Sequence, residues 1–316
     1  MPTRLAAVAA LVVASVVAAQ PVARPGLRFT VAIDPALPVQ AGRVLVAVGP
    51  KNGTPDFTEY KPPVLPVLGA DLTVGRAATL DVSSDVFPVA PALNDLPAGE
   101  YTVQAILATN RDINLPDAPG NLFCAPVKVK LDPAAGTTVN LTLDKTFAER
   151  KLKDTATHKF LALPSKLLSD FHGRPMTFRV GVVLPPNFDK EPEKNYGLIL
   201  DIGGFGTRYT DARRTSPDKR FVQVVPDGAG PFGDPYQVNS ANNGPYGDAL
   251  VKEVIPYLEK AFRCGGTGKR FTCGASTGGW VSLALQLYYP DTFNGCWSQC
   301  PDSLTFERFE LIDLYA

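Results

Sequence analysis

The segment Gly274–Gly278, with the sequence G-A-S-T-G, constrains the fold of this chain more than any other feature. It follows the strand-like residues 269–273 and precedes the helix-like residues 280–287. A serine at a sharp turn between a strand and a helix is typical of a nucleophile elbow, where small neighbours let the backbone adopt a strained conformation. The pattern therefore predicts that Ser276 is a nucleophile. The alternative is a glycine-rich turn with a bystander serine, because so short a motif also occurs by chance.

Residues 159–316 alternate between strand-like and helical segments, which is typical of an α/β domain with a mostly parallel sheet. One long helix is expected at residues 247–262, where apolar residues recur at helical spacing and Pro256 should introduce a kink. The predicted strands cover residues 176–184, 196–202, 220–225, 269–273 and 295–300.

Residues 26–145 contain short apolar segments separated by Pro- and Gly-rich turns. In residues 27–33 the large apolar side chains fall on every second position, so that one face of the strand is buried. Several strands of this kind predict an all-β sandwich of the immunoglobulin-like type. The charged residues 146–158 are predicted to form the linker to the α/β part.

The N-terminal residues 1–19 have the pattern of a secretory signal peptide. Arg4 supplies a positive charge, residues 5–17 are almost wholly apolar, and Val17-Ala18-Ala19 fits the small-residue cleavage rule. The mature chain is expected to begin at Gln20, and the protein is expected to be secreted or periplasmic. The apolar run is shorter than the about 20 residues that span a membrane, so no stable membrane insertion is expected after cleavage. A retained membrane anchor is the alternative.

The composition argues against some partners. The chain has 31 Lys and Arg against 31 Asp and Glu, and this zero net charge gives no indication of nucleic acid as a partner. The two histidines and five cysteines match no zinc-ligand spacing, so we expect no metal. The odd number of cysteines leaves at least one thiol free or paired with another chain.

A nucleophilic serine needs a base, commonly a histidine, which is itself oriented by an acid. His158 and His172 both precede Ser276, whereas the usual order behind an elbow of this kind is serine, acid, histidine. Asp302 is a candidate acid, and a solvated turn residue is the alternative. Asp227 follows a predicted strand and is expected to shape the rim of a pocket.

The oxyanion hole is expected to combine two backbone N–H groups. One is that of Thr277, directly after the serine. The second is assigned to Gly204 or Phe205, in the G-G-F-G segment at 203–206, whose glycines allow a substrate to approach the backbone. The alternative is that this segment is an ordinary glycine turn.

Several further stretches support a specific resemblance. They are V-L-P-P at 183–186, G-G-F-G at 203–206, P-D-G at 226–228, G-P-Y-G at 244–247, E-V-I-P-Y at 253–257, G-A-S-T-G-G-W at 274–280 and Y-P-D-T-F at 289–293. Together they make residues from about 170 to 310 resemble the putative-esterase family of α/β-hydrolases, which includes esterase D, feruloyl esterases and enterochelin esterases. The resemblance implies an α/β-hydrolase fold for residues 159–316, with Ser276 as the nucleophile and Thr277 as an oxyanion donor. It also implies hydrolysis of carboxylic esters without a cofactor.

Members of that family carry the acid and the histidine beyond the next strands, and no histidine follows Ser276 here. The sequence is therefore interpreted as a C-terminally truncated fragment that is inactive by itself. The predicted function is an exported serine carboxylic-ester hydrolase that acts through an acyl-serine intermediate on a small-molecule or polysaccharide-linked ester. The alternatives are a non-catalytic extracellular binding or scaffold protein, and a peptidase of the same fold.

Overall fold

The structure is a computed structural model, and it describes residues 26–57, 65–87, 93–149, 151–304, 307–309 and 312–313. The predicted signal peptide at 1–19 lies outside these residues. The described N-terminal part, up to residue 149, consists of strands and one short 3-10 helix. The described part after it contains both strands and helices.

Ten strands form the described N-terminal part, and the 3-10 helix covers Leu93–Asp95. In chain order the strands are β1 (Arg28–Ile33), β2 (Gly42–Pro50), β3 (Val67–Leu72), β4 (Ala77–Leu80), β5 (Asp85–Phe87), β6 (Gly99–Ala108), β7 (Leu122–Phe123), β8 (Val127–Leu131), β9 (Thr138–Leu143) and β10 (Lys145–Thr146).

These strands form two sheets around a common core. One has the order β4-β1-β9, and the other has the order β10-β7-β6-β2-β3-β5, with β8 also paired to β6. Buried and exposed residues alternate strictly along β9, as expected for a strand with one buried face. The core includes Phe29 and Leu141 from the first sheet and Val46 and Leu107 from the second. This part is therefore a two-layer all-β structure, and its immunoglobulin-like character stays a prediction.

The C-terminal part alternates strands with helices. Its strands are β11 (His158–Ser165), β12 (Met176–Val183), β13 (Gly197–Ile202), β14 (Phe221–Pro226), β15 (Asn239–Ser240), β16 (Gly244–Pro245), β17 (Arg270–Ala275), β18 (Cys296–Gln299), β19 (Arg308–Phe309) and β20 (Ile312–Asp313). Its helices are α1 (Lys166–His172), α2 (Tyr246–Ala249), α3 (Ile255–Phe262) and α4 (Thr277–Tyr288), with 3-10 helices at Phe188–Lys190 and Tyr209–Arg214.

The main sheet of this part has the strand order β11-β12-β14-β13-β17-β18. Strands β14, β13, β17 and β18 run parallel, whereas β12 is antiparallel to both of its neighbours. The sheet is therefore mixed, with a parallel section of four strands. Ile202 at the end of β13 is paired with Gly274 near the end of β17. This register places the segment after β13 beside Ser276, because the carboxyl ends of parallel strands meet at one edge of a sheet.

The helix predicted at 247–262 runs from Tyr246 to Phe262 and contains a π-helical turn at Leu250–Val254. Pro256 follows this turn, in the first turn of α3. Proline has no backbone N–H to donate within a helix, and a π-helical turn accommodates such an irregularity. The interruption expected at Pro256 therefore takes the form of a π-helical turn just before it.

The two parts touch through the segment between β6 and β7. The N–H of Asn114 donates to the carbonyl oxygen of Gly230 at 2.8 Å. Arg174, just after α1, forms an ion pair with Asp112. Ile113 packs with Ala229 in a small buried cluster. The N-terminal part therefore supports the segment that follows β14.

The described residues include all five cysteines of the chain. Cys124, Cys264, Cys273, Cys296 and Cys300 all lie within them and are unpaired. In the same ranges, no three His, Cys, Asp or Glu side chains are grouped so as to hold a metal ion. No helix in the described part of the chain has the length and apolar character needed to cross a membrane.

Candidate functional site

Ser276 lies at the turn between β17 and α4, with backbone angles of φ 56° and ψ −127°. A non-glycine residue at positive φ is strained, and such strain is found at functional sites where the surroundings enforce it. Here the backbone is closely packed at the glycine on each side of Ser276. A Cβ on Gly274 would lie 2.4 Å from the carbonyl oxygen of Ile202, and one on Gly278 would lie 2.0 Å from the same atom. Only glycine fits at these two positions, which explains the spacing of the motif.

Helix α4 begins directly after the serine, and Ser276 is its N-cap residue. The N–H groups of Gly279 and Trp280 donate to the Ser276 carbonyl oxygen at 2.8 and 3.1 Å. Thr277 is buried, and its N–H has no acceptor among the described residues. A free N–H at the positive end of a helix is suited to stabilise a developing oxyanion.

The G-G-F-G segment after β13 lies next to the serine. A Cβ built on Gly204 would lie 4.0 Å from the Cβ of Ser276. The turn is closed by the N–H of Thr207, which donates to the Gly204 carbonyl oxygen at 3.0 Å. Phe205 projects into solvent, with 76% of its surface exposed. The structure thus brings Gly204, and with it the backbone of Phe205, to the side of Ser276 where Thr277 lies.

The side chain that contacts Ser276 is an aspartate. The Ser276 Oγ donates to Asp302 Oδ1 at 3.2 Å, and the Thr277 Oγ1 donates to Asp302 Oδ2 at 2.7 Å. The sequence suggested Asp302 as an acid that orients a histidine, or as a solvated turn residue. In the structure this carboxylate lies in a partly exposed bend and contacts the serine itself. The contact follows from the parallel pairing of β17 with β18, because residues that follow adjacent parallel strands meet at one edge of a sheet.

Neither histidine is hydrogen-bonded to Ser276. His158 Nε2 lies 3.1 Å from the carbonyl oxygen of Thr215, and its Nδ1 lies 3.0 Å from Thr157 Oγ1. His172 Nε2 lies 3.1 Å from the carbonyl oxygen of Asn243. Both rings are therefore engaged with groups away from the serine.

A small cleft is lined by Thr277, which directly follows the serine, and by Gly204, Asp234 and Gln237. Asp234 accepts hydrogen bonds from the N–H groups of Gly206 and Tyr236. Burial raises the pKa of Asp234 to about 6, and the nearby charge of Asp227 adds to the effect, while these two hydrogen bonds oppose it. Asp234 thereby ties the segment after β13 to the segment after β14.

Asp227 is held behind this cleft rather than on an open rim. Its carboxylate accepts two hydrogen bonds from Arg208, from Nε at 2.5 Å and from Nη2 at 3.1 Å, and only 5% of its surface is exposed. A bidentate, buried pair of this kind fixes geometry more than it reacts. Asp227 therefore acts as a support for the segment after β14.

Gln237 is a polar residue of this cleft that sequence reasoning missed. It is 2% exposed and its Nε2 donates to the carbonyl oxygen of Asp227 at 3.0 Å. This contact fixes the orientation of the amide and leaves Oε1 without a donor among the described protein groups. Oε1 is therefore a buried acceptor with unused hydrogen-bonding capacity, in a residue that lines the cleft. No local motif marks this glutamine.

Comparison with known proteins gives one family match and several similar solved structures. Residues 169–304 match the family described as "Putative esterase". No curated protein matches the chain. Similar solved structures include a ferulic acid esterase (18% identity, TM-score 0.38, covering 46% of this chain and 59% of that one). Another is an S-formylglutathione hydrolase from Agrobacterium tumefaciens (16% identity, TM-score 0.39, covering 47% of this chain and 60% of that one).

A third is the fluorophosphonate-binding serine hydrolase FphF from Staphylococcus aureus (19% identity, TM-score 0.37, covering 46% of this chain and 58% of that one). This chain thus spans about three fifths of the length of these solved structures. Likeness at this level determines no substrate. The motifs after β13 and β17 and the helices α2 to α4 all fall within the matched range. The similarity to the "Putative esterase" family is therefore confined to residues 169–304.

Proposed function

We propose that this protein is a serine hydrolase of carboxylic esters that acts through an acyl-serine intermediate. The observation that carries the proposal is the strained turn at Ser276, which presents one hydroxyl beside the free N–H of Thr277. Strain enforced by two glycines at a strand-to-helix turn has no evident structural benefit, whereas it serves a nucleophile.

In the proposed reaction, Ser276 Oγ attacks the ester carbonyl carbon and a tetrahedral intermediate forms. The Thr277 N–H, together with an N–H of Gly204 or Phe205, stabilises the negative charge on the carbonyl oxygen. Collapse of the intermediate releases the alcohol and leaves an acyl-serine, which water then hydrolyses. No step of this scheme uses a metal ion or an organic cofactor. The substrate class is a small-molecule or polysaccharide-linked ester.

The test is hydrolysis of p-nitrophenyl acetate by the purified protein beside Ser276→Ala and a matched control, Ser303→Ala. Ser303 is a nearby serine with an exposed side chain. Because it is exposed, we expect its truncation to leave the elbow intact. We expect Ser276→Ala to lower kcat/KM by at least about 1,000-fold, since nothing replaces the nucleophile. Equal rates in the wild type and in Ser276→Ala would rule the proposal out.

We also infer that the protein is exported, on the sequence pattern of residues 1–19. N-terminal sequencing of the protein from its natural host tests this inference. Gln20 as the first residue supports it, and a retained Met1 contradicts it.

A further inference from the structure

We propose that a lysine-lined cleft in the N-terminal all-β part binds an acidic polysaccharide, a chain of sugars that carry carboxylate groups. This inference goes beyond ester hydrolysis and does not depend on it. Its starting observation is a cleft of about 290 Å³, here called the lysine cleft, formed by residues of β6, β8 and the turn after β2. The lining residues are Lys51, Glu100, Tyr101, Lys128, Val129 and Lys130.

Positive charge is in excess in the lysine cleft. Three of its side chains are lysines and one is a glutamate, whereas the whole chain has equal numbers of basic and acidic residues. Lys51 forms an ion pair with Glu100, while Lys128 and Lys130 have no ion-pair partner among the described residues. Lys51 lowers the pKa of Glu100 through its hydrogen bond and its charge, and the charges of Lys128 and Lys130 add to this effect. Two ammonium groups near one carboxylate are therefore available to an anion.

Backbone contacts fix the positions from which the three lysines extend. In the antiparallel pairing of β8 with β6, Lys130 is opposite Glu100 and Lys128 is opposite Thr102. The Thr102 Oγ1 donates to the carbonyl oxygen of Lys51 at 3.2 Å, which ties the turn after β2 to β6. Lys128 and Lys130 occupy alternate positions of one strand, so they lie on one face about 7 Å apart. This arrangement suits an extended ligand that repeats its negative charges.

Lysines on an edge strand have a second explanation, because they discourage pairing with another chain. Among the described strands β8 pairs with β6 alone, so this explanation covers Lys128 and Lys130. It does not cover Lys51, which lies outside β8 and lines the same cleft. A binding role accounts for all three lysines together.

The glutamate in the lysine cleft selects among anionic ligands. Ammonium groups bind carboxylates and phosphates alike. The Glu100 carboxylate accepts hydrogen bonds but repels other negative charges, which disfavours a phosphate chain that offers it no donor. A polymer of uronic acids offers carboxylates to the lysines and hydroxyl donors to Glu100. The zero net charge of the chain likewise gives no long-range attraction to nucleic acid or to an anionic membrane.

The experiment is isothermal titration calorimetry of the purified protein with a galacturonate hexamer at low ionic strength. The main variant combines Lys128→Gln with Lys130→Gln, and we expect about a tenfold weaker affinity because two ion pairs are lost. Lys51→Gln changes the lysine outside the edge strand, and we expect about a threefold loss.

The matched control combines Lys190→Gln with Lys219→Gln. Both lysines are exposed and lie outside the lysine cleft, so this variant loses the same charge from the protein without changing the cleft. We expect it to keep the wild-type affinity. Thermal unfolding verifies that each variant is folded. A neutral xylose hexamer, a short DNA duplex and phosphatidylserine vesicles serve as comparison ligands, and we expect weaker binding of all three.

The outcomes decide both the site and the ligand class. Binding of the galacturonate hexamer that is weakened in both cleft variants and retained in the control supports the proposal. No binding of this hexamer, or an affinity unchanged in either cleft variant, would overturn the site. Equal or tighter binding of the DNA, the vesicles or the neutral hexamer would overturn the assignment to acidic polysaccharide. These titrations contain no ester, so their failure leaves the proposed hydrolysis standing.

Discussion

At the scale of single residues, Asp234 is the carboxyl with the clearest consequence for stability. It lies in the cleft wall, accepts the N–H groups of Gly206 and Tyr236, and has a pKa raised from 3.8 to about 6, first of all by burial. A pKa raised in the folded state means that the folded protein holds this proton more tightly than the unfolded chain does. The corresponding stability is fully present below about pH 4 and is lost as the pH rises through about 6.

We therefore expect Asp234→Asn to become more stable than the wild type as the pH rises. Asparagine keeps an oxygen that accepts the two N–H groups and never ionises. The difference in the free energy of unfolding should be smallest below pH 4, grow between pH 4 and 6, and level off at about 1–3 kcal/mol above pH 7. Urea unfolding at several pH values measures it. A difference that stays constant from pH 3.5 to 7.5 would contradict the raised pKa.

Residues of the site differ in how far the sequence predicts them. Ser276 and Gly204 stand in local motifs, because a strained turn and a close backbone approach require glycine at fixed spacings. Asp302 and Gln237 belong to no such motif. Their contacts depend on strand pairing and on backbone turns far from the serine in sequence, at Cys300 and at Gln237 itself, where φ is positive. Single-sequence patterns do not encode that geometry.

At the scale of elements, Glu253 connects two helices. It lies in the π-helical turn, and its carboxylate accepts from Ser165 Oγ at 2.5 Å and from the Leu167 N–H at 2.9 Å. Ser165 is the N-cap of α1 and accepts from the Leu168 N–H. A carboxylate at a helix N-terminus satisfies otherwise unpaired N–H groups and interacts favourably with the helix dipole. The seven-residue helix α1 thus depends on a residue nearly ninety positions away.

We expect Glu253→Ala to lower the free energy of unfolding by about 1–3 kcal/mol, because it leaves the Leu167 N–H and the Ser165 hydroxyl without their acceptor. Lys252→Ala is the matched control. It removes an exposed ion pair with Asp248 from the next position, and we expect a change below about 0.5 kcal/mol. Chemical denaturation of both variants gives the comparison. Equal effects would mean that the cap on α1 contributes nothing.

Strands and helices whose apolar residues recur at a regular spacing are predictable from the sequence. Elements whose conformation depends on tertiary contacts are not. The expected strand at 176–184 is β12 at Met176–Val183, and the elbow helix begins at Thr277, slightly earlier than its apolar run. Strand β11, at His158–Ser165, has mostly half-exposed residues and forms because it pairs along its full length with β12. Its sequence lacks the alternation that predicts a strand. Pairing with a neighbour decided its conformation.

At the scale of the whole molecule, the N-terminal all-β part contributes to the support of the candidate site. Ile113 packs with Ala229, and the Asn114 N–H donates to Gly230, so both contacts fall on the segment that follows β14. That segment continues to Asp234 and Gln237 in the cleft wall. The sequence predicted two parts joined by a linker, and it gave no sign of this contact, because Ile113 lies in a segment with neither helical nor strand period. The two parts are therefore coupled through the segment that leads to the cleft wall.

We expect Ile113→Ala to loosen the segment after β14 as well as to destabilise the protein. Ile113 is 6% exposed, and removal of its side chain from a small cluster should lower the free energy of unfolding by about 2 kcal/mol. The hydrogen bond from the Gly230 N–H to the Gly233 carbonyl oxygen should then open more often, so hydrogen exchange at Gly230 should become faster. Ile113→Val should restore most of the protection, and Val74→Ala, at an 87% exposed position, should change neither quantity. Unchanged exchange at Gly230 in Ile113→Ala would mean that the all-β part is attached without supporting the site.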